Sequence, residues 1–581
     1  MTKFRADIQG LRAIAVVSVM LNHTGVEFFK FGYLGVDVFF VISGYLMGMH
    51  LISAVHTGEF SFVDFYIRRA RRILPALYIV ISLSIPVAWF SMLPDDLENF
   101  GQSVVATILF SNNILLHLTS GYWDVSSEFK PLLHTWSLGV EEQYYLALPL
   151  IILWLGGNAY RALAALIVVS ASIFIYSSIL GENTYYLIHY RAWELFIGSF
   201  LAYLNFNGSI VDKPAIRIFS LMLLCFSMLN LELFHYDLPG YARHIICVIG
   251  ALGLVSSFKH YSPSLSFLLE NRSFMYLGAM SYSLYLVHQP VFAFMRILDR
   301  EPIAQYLYFL AFVPVIFLSH LLHTFVENPC RKSQLIGNKS FILMAVSLSI
   351  SLLIVGGYLH FSKGASFRLG DGGSFSIGEQ SIDYNMKVFR FKENAVSLDT
   401  RRMIFVIGDS YGRDFTNMLV EVGIYSENAV RYSDVLPGFC DSSPFISDEN
   451  IKSGDVVYLV FKRYDGLCYD RFNDYIVSAG ARLIVVGPKD FGYNLNPFIR
   501  TPSEERAAVV TRITSHTISR NEVLKKTIPA KNFIDLVDVL ANGKREIRVF
   551  DDNGHLLSVD GLHLTEAGAK FFGNALSSRI K

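Results

Sequence analysis

The sequence predicts a polytopic α-helical membrane domain of about 11 transmembrane helices, followed by a soluble α/β domain. Three observations carry that prediction. The 581 residues are 52% hydrophobic and 14% aromatic but only 17% charged, with a mean hydropathy of +0.40, a balance typical of membrane proteins. All five tryptophans lie at or before Trp193, whereas charged residues thicken after about residue 365. From residue 403 onward, the short apolar runs RMIFVIG, DVVYLVF and ARLIVVG end at turn signals with helix-like stretches between them, the pattern of buried parallel strands.

Apolar stretches long enough to span a bilayer, ~20 residues, run at 11–30, 33–53, 73–92, 132–155, 160–180, 186–205, 217–234, 242–258, 275–295, 305–327 and 340–360. A weaker run at 100–118 contains Gln102, Asn112, Asn113 and His117 and reads as interfacial or re-entrant. The first stretch is interrupted by His23 and lacks a small-residue cleavage site, so it is expected to be retained. The expected organisation is a membrane domain at 1–335 with ten spans, an eleventh span at 336–360, a linker at 361–400 rich in Gly, Ser and Asp (GASFRLGDGGSFSIG), and an α/β domain at 401–581.

An odd number of spans puts the two ends on opposite sides. Lys3, Arg5, the cluster Arg68, Arg69, Arg71 and Arg72, then Arg161, Lys213, Lys259, Arg272, Arg331 and Lys332 fall in one set of loops, which the positive-inside rule makes cytoplasmic. The α/β domain is then extracytoplasmic; a true span at 100–118 would reverse this. The formal net charge is zero, so the total says nothing about partners beyond membrane lipids, and no nucleic acid is expected. Cys225 and Cys247 fall in spans and Cys330 in a cytoplasmic loop. Cys440 and Cys468 would share the oxidising compartment, either as a disulfide or as two buried thiols.

Ionisable residues inside the apolar stretches raise the question of function. In LRAIAVVSVMLNHTG, Arg12 and His23 are eleven helical steps apart, three turns to within about 20° and roughly 16 Å of rise. They share one helix face. A snorkelling anchor plus a helix–helix hydrogen bonder would account for the pair; so would a polar pathway. GVDVFFVISGYL adds Asp37 and Ser43 to a span, HTWSLGVEEQYYLALP adds His134, Glu141, Glu142 and Gln143, and SYSLYLVHQP adds His288. The four arginines of FYIRRARRILP exceed what topology requires and suit phosphate groups. The histidines are scattered, so no metal-ligand cluster stands out and no metal is expected.

In the soluble half, IFVIGDSYGRD places Ser410 at a strand end, and LSVDGLHLTEAG places Asp560 and His563 three apart. A nucleophilic serine needs a base, and the base needs an orienting acid; these three residues can supply those roles.

Arg–ten residues–His, GVDVFF…SG, RRxxRIxP, HTWSLxVEEQ, SYSLYLVHQP and VENP, in that order, closely resemble the acyltransferase 3 family across about residues 4–335. GDS followed by a late DxxHL resembles the SGNH (GDSL-like) hydrolase family across roughly 400–581. Together the halves are similar to bacterial fusions that O-acetylate surface glycans such as lipopolysaccharide O-antigen. The resemblance implies an inner-membrane acyltransferase with a periplasmic SGNH domain, cytoplasmic acetyl-CoA as donor, and an extracytoplasmic polysaccharide or lipid-linked glycan as acceptor. It implies His23 as general base or transient acyl carrier, Arg69 and Arg72 as holders of the CoA phosphates, and Arg12 as a phosphate ligand or as the residue that orients the donor. Glu141 would fix a histidine tautomer or line the pathway. Ser410 would be an acylated nucleophile with His563 and Asp560, its oxyanion held by the backbone of Ser410 and of Gly438 in LPGFC. The family's third block, GxND, reads VYLVFKRYD here, which leaves one oxyanion donor unassigned. A glycan acetyl esterase, a non-enzymatic transporter or glycan-binding protein, and acylation of peptidoglycan are the alternatives.

Overall fold

The computed structural model describes residues 5–119, 127–208, 214–230, 238–256, 269–332, 335–369, 384–392, 402–434, 451–462, 464, 469–558 and 560–580. The chain forms two compact units: residues 1–90, 100–295 and 303–358 make the first, and residues 91–99, 296–302 and 359–581 the second. Gly438, Cys440 and Cys468 lie outside the described residues.

Among the described residues, the first unit is helical. Its elements are α1 (Ala6–His23), α2 (Gly35–His56), α3 (Phe62–Ser91), α4 (Pro94–Ile108), α5 (Asn112–Thr119), α6 (Thr135–Leu155), α7 (Ala159–Ile179), α8 (Ile188–Phe206), α9 (Pro214–Met228), α10 (Gly240–Ser256), α11 (Arg272–Ala279), α12 (Ser281–Leu298), α13 (Gln305–Leu322) and α14 (Asn338–Phe361). Each of the eleven predicted stretches coincides with a helix or a helix pair. Among the described residues, however, six helical segments are both long and apolar enough to cross a membrane: 27–56, α3, α6, α7, 305–331 and α14. The expected count of eleven is not reached by that measure, and the reason is chemical. Helices such as α1, with Asp7 and Arg12, and α8, with the buried Arg191 and Glu194, give up apolar length to charged side chains, and α9 and α10 are apolar but short.

The first stretch is also shorter than expected. Gly25 takes φ 72° just after the end of α1, a backbone conformation that costs glycine little, so the helix stops at His23 and a 3₁₀ turn, Glu27–Phe29, follows. The run at 100–118 is two helices, α4 and α5, separated at Phe110, whose φ of 52° breaks the helical path. Neither piece spans 20 residues.

Helices α2 and α8 pack closely because their contact stripe is small. A Cβ on Gly44 would fall 2.0 Å from the Leu195 carbonyl oxygen, and one on Gly198 would fall 2.3 Å from that of Val41. The hydroxyl of Ser199 donates to the Gly44 carbonyl at 2.8 Å. Close helix approach through small residues is the usual means of packing in lipid, where burying apolar surface supplies no driving force.

The second unit is α/β. Strands β1 (Ile404–Gly408), β2 (Val430–Ser433), β3 (Val456–Val460), β4 (Arg482–Val486) and β6 (Phe533–Ile534) form a parallel sheet in the order β2-β1-β3-β4-β6. Strands β5 (Val510–Arg512) and β7 (Glu546–Arg548) pair antiparallel beside it. Helices α15 (Ser410–Glu421), α16 (Tyr469–Ser478), α17 (Ser515–Thr527), α18 (Leu536–Leu540) and α19 (Glu566–Ile580) connect them. One core includes Val406, Phe415, Tyr432 and Phe572; a second includes Phe405, Leu459, Phe472 and Leu483. Alternate residues of β1 feed opposite cores, as a sheet covered on both faces requires. The expected linker at 361–400 is partly folded into this unit: Tyr384, Val388 and Phe391, in and beside the 3₁₀ turn Lys387–Lys392, are buried in the first core. Three aromatic or aliphatic side chains spaced within eight residues outweigh the polar composition around them.

The α2–α8 contact yields a prediction. Gly198→Leu sets a side chain against backbone that cannot move aside, and should destabilise the unit by about 3 kcal/mol or more. Gly240→Ala meets open space and should be tolerated. Thermal stability of the full-length chain in detergent, followed by size-exclusion chromatography after heating, separates the two.

Candidate active sites

Within the membrane unit, a cavity is lined by Arg12 of α1, Ser43 and Leu46 of α2, Arg69 and Arg72 of α3, Glu141 and Tyr145 of α6, and by His134, Tyr282 and Tyr285. The arginines arrive there by helical periodicity. Arg69 and Arg72 are three apart and share a face of α3. The other two of the cluster point elsewhere: Arg71 donates to the carbonyls of Cys330 and Ile336 and to Asn338 Oδ1 at 3.2, 2.6 and 3.0 Å, and Arg68 lies 3.4 Å from His50 Nε2. The structure therefore divides four adjacent arginines into two that serve packing and polar contacts and two that face a cavity.

The Arg69 guanidinium lies 4.3 Å from the centre of the Tyr145 ring. Tyr145 in turn donates to Glu141 Oε2 at 2.7 Å, and Ser43 donates to the same oxygen at 3.3 Å. Arg72 and Arg331 repel Arg12, while Glu327 and Glu141 attract it. Glu327 accepts from Ser283 at 2.9 Å and pairs with His323 at 2.9 Å. Positive charge gathered in a cavity of this kind is suited to an anion carrying several phosphates.

His23 does not line the cavity. It stands at the end of α1 with its ring 5.3 Å from that of His288, which lies 5.6 Å from that of His134, a residue of the cavity wall. Tyr285 completes the cluster, its ring 5.3 Å from His134 and 5.6 Å from His288. Its hydroxyl donates to the His134 carbonyl at 2.9 Å. The His288 Nδ1 bonds the Leu284 carbonyl at 3.1 Å, which places the proton on Nδ1 and the lone pair on Nε2. Sequence reasoning named His134 and His288 as polar residues in apolar stretches but gave them no role; their grouping with His23 joins α1, α12 and the start of α6, three segments far apart in the chain.

Elsewhere in this unit, Asp37, Glu194 and His244 offer ligand atoms within 4.8 Å of one another. The Arg191 guanidinium fills the space between them, 2.9 Å from Asp37 Oδ2, 3.1 Å from Glu194 Oε1 and 2.9 Å from His244 Nδ1. It supplies the positive charge these groups demand.

In the α/β unit, the sequence GDS makes a strand-to-helix turn. Ser410 is the first residue of α15, directly after β1, and Asp409 caps the helix by accepting from the Tyr411 N–H at 2.9 Å. This is the carboxyl end of an interior strand of a parallel sheet, the end at which such folds place their sites. Because Ser410 opens the helix, its own N–H has no partner within α15, as an oxyanion donor requires. In the stretch VYLVFKRYD, just past the end of β3, the Lys462 N–H donates to Asp409 Oδ2 at 2.8 Å. Burial pushes the Asp409 carboxyl up, against the pull of those two N–H groups.

Asp560 and His563 meet in one turn. The imidazole Nδ1 lies 2.6 Å from Asp560 Oδ2, and the other carboxylate oxygen accepts from the N–H groups of His563 and Leu562 at 2.7 and 2.8 Å. Gly561, at φ 81°, makes the turn that lets three consecutive residues fold around one carboxylate. Ser410 and Asp414 stack one turn apart on α15, and Asp414 Oδ1 accepts from the Leu564 N–H at 3.3 Å. The serine-bearing face of the helix thus runs beside the histidine segment.

Burial would push the Asp560 carboxyl up, but the charge and hydrogen bonds of His563 outweigh it and hold the group at about 2, against an ordinary 3.8. A carboxylate depressed in this way stabilises the fold above pH 4 and loses that contribution as pH falls through 2. Asp560→Asn should therefore destabilise the unit at pH 7 by about 1 kcal/mol, the partly exposed carboxylate being screened by solvent, with the gap between variant and parent closing between pH 4 and 2. The urea midpoint of the α/β unit in the full-length chain, read by pulse proteolysis at several pH values, checks both the size and the window.

A family model described as an acyltransferase domain (Acyl_transf_3) matches residues 5–324. The chain is 28% identical over 397 residues to "Putative O-acetyltransferase SAS0844" of Staphylococcus aureus (strain MSSA476), covering 62% of this chain and 65% of that protein. It is 28% identical over 357 residues to the peptidoglycan O-acetyltransferase OatA of Listeria monocytogenes serovar 1/2a (strain ATCC BAA-679 / EGD-e), covering 58% and 57%. It is 28% identical over 374 residues to the O-acetyltransferase OatA of Staphylococcus aureus (strain NCTC 8325 / PS 47), covering 59% of each. The chain thus spans less than two thirds of the length of these relatives. No solved structure matches it. The family match takes in every residue that lines the cavity and the three clustered histidines, and the chain belongs to the acyltransferase 3 family.

Proposed function

We propose that this protein is a membrane O-acetyltransferase that carries an acetyl group from acetyl-CoA to a hydroxyl of a surface glycan. The observation that carries the proposal is one cavity with Arg12, Arg69, Arg72 and His134 in its wall, His134 being joined to His288 and His23. The arginines hold the CoA phosphates. The histidines supply the base: an imidazole takes the proton of the attacking hydroxyl, the C–O bond forms, the C–S bond breaks, and the proton passes to the thiolate to give free CoA. Glu141, held by Tyr145 and Ser43, orients the polar wall of the cavity near the thioester.

The α/β unit is read as an SGNH-like domain that completes the transfer. Ser410 Oγ attacks the carbonyl of the acetyl ester formed at the membrane unit: the bond from that carbonyl to the carrier oxygen breaks, and His563 takes the serine proton and gives it to the leaving oxygen. A glycan hydroxyl then attacks the acyl-serine carbonyl, His563 taking its proton and returning it to Ser410 Oγ as the serine ester bond breaks. Asp560 holds the imidazole in the required tautomer. Attack by sugar instead of water makes the domain a transferase and not an esterase. One relative is named a peptidoglycan O-acetyltransferase, and the overall pairing of domains resembles O-antigen acetyltransferases, so both acceptors belong in the test.

A deletion strain carrying the parent, His23→Ala or Ser410→Ala, with O-acetylation of purified lipopolysaccharide and of peptidoglycan read by NMR, decides the reading. His23→Ala should abolish acetylation of one of the two glycans; full acetylation would overturn the proposal. Loss with Ser410→Ala as well shows a relay, and retention assigns the transfer to the membrane unit alone.

The division of the arginine cluster makes a second prediction. Arg69→Ala and Arg72→Ala should each raise KM for acetyl-CoA about tenfold with a smaller change in kcat, whereas Arg68→Ala should leave KM unchanged. Initial rates in proteoliposomes measure this.

A further inference from the structure

We propose that the buried ion pair of Lys489 and Asp414 is a positioning device for His563, holding the main chain on both sides of the imidazole. The inference rests on reading Ser410, His563 and Asp560 as an acyl-transfer triad.

Lys489 lies just beyond the end of β4, in GPKDF. Its Nζ bonds Asp414 Oδ2 at 2.6 Å and also donates to the Leu562 carbonyl. The two side chains are 1% and 0% exposed. The remaining oxygen of Asp414 accepts from the Leu564 N–H at 3.3 Å. One ion pair therefore binds the residue before His563 and the residue after it. The adjoining Phe491 N–H adds a third tie, to the Gly561 carbonyl at 2.7 Å. Asp490, between them in sequence, is itself anchored by accepting from the Thr514 hydroxyl at 2.5 Å and the Gly492 N–H at 3.2 Å.

Asp414 is also one turn along α15 from Ser410, so the device refers the position of the base to the helix that carries the nucleophile. The Lys489 ammonium lies 4.3 Å from the centre of the Tyr411 ring, next to Ser410 in sequence. A fully buried ion pair is a poor way to add stability, because an apolar pair of equal volume does as well or better. An apolar pair cannot, however, donate to one carbonyl and accept from an N–H two residues away. That is what this pair does, and a general base needs its ring placed to within a fraction of an ångström.

The test uses the full-length chain in detergent and four variants: Lys489→Met, Asp414→Asn, the double variant, and Lys489→Arg. The double variant leaves no buried charge unpaired and keeps an acceptor for Leu564. Two measurements are made. Hydrogen exchange of peptides covering 556–569 reports the hold on the loop. The rate at which a fluorophosphonate labels Ser410, as a function of pH, reports the base; in that reaction an O–P bond forms, fluoride leaves, and His563 takes the hydroxyl proton. The double variant should keep the exchange protection of β1, β3 and β4. It should exchange about tenfold faster at 556–569 and label Ser410 about 10- to 100-fold more slowly, with the pH midpoint displaced. Lys489→Arg should recover part of the rate. Parental exchange at 556–569 together with parental labelling in the double variant would overturn the proposal. If the parent labels no faster than Ser410→Ala, the triad reading fails, and the exchange data still decide whether the pair holds the loop.

Discussion

Arg191 is the charge around which the membrane unit is arranged. It is fully buried, hydrogen-bonded to Asp37 of α2 and His244 of α10 and within ion-pair distance of Glu194 of its own helix, with the rings of Phe40, Trp136 and Tyr185 within 6 Å of its guanidinium carbon. A lone charge in such surroundings would be prohibitive, and removing one member of a buried pair typically costs about 3–5 kcal/mol. Three helices are thereby obliged to meet at one place. The glycine stripe that brings α2 against α8 works with the same constraint: the backbones come close enough for the charged groups to reach each other. Because α2 also carries Phe39, Ile42 and Ser43 into the cavity wall, the geometry of the candidate site depends on this contact.

The same rule, that charge away from water must be matched, distinguishes the arginines of α3. Arg71 is surrounded by protein acceptors and stacks on Phe341 at 4.5 Å; its needs are met by the fold. Arg69 and Arg72 look into open space shared with Arg12, with Glu141 engaged by Tyr145 and Ser43. An excess of positive charge in a cavity is stable only when an anion or solvent completes it, which is why the cavity reads as a binding site and Arg71 as a structural residue.

In the α/β unit the histidine of the candidate triad is fixed twice, by different means. Asp560 fixes the ring through Nδ1 and the backbone through two N–H groups. The Lys489–Asp414 pair fixes the neighbouring residues from the other side. The first device is local in sequence, a three-residue turn allowed by Gly561. The second draws together segments from three distant parts of the chain.

What was local was legible in the sequence. The apolar stretches, the strands β1, β3 and β4, the serine at a strand end and the Asp560–His563 turn all depend on neighbours within a few residues, and periodicity or turn chemistry exposes them. The short strands β2 and β6, four and two residues long, carry too little pattern to be seen, and the buried turn at 387–392 was hidden by the polar residues around it. The end of α1 at His23 turned on a single glycine. Tertiary structure alone decided that His134 and His288 join His23, that Arg69 and Arg72 part company with Arg68 and Arg71, and that Lys489 reaches Asp414. Each of these is a meeting of side chains from separate elements, set by how helices and sheet pack. A linear pattern records which face a residue occupies, and only the packing of that face against another determines what it touches.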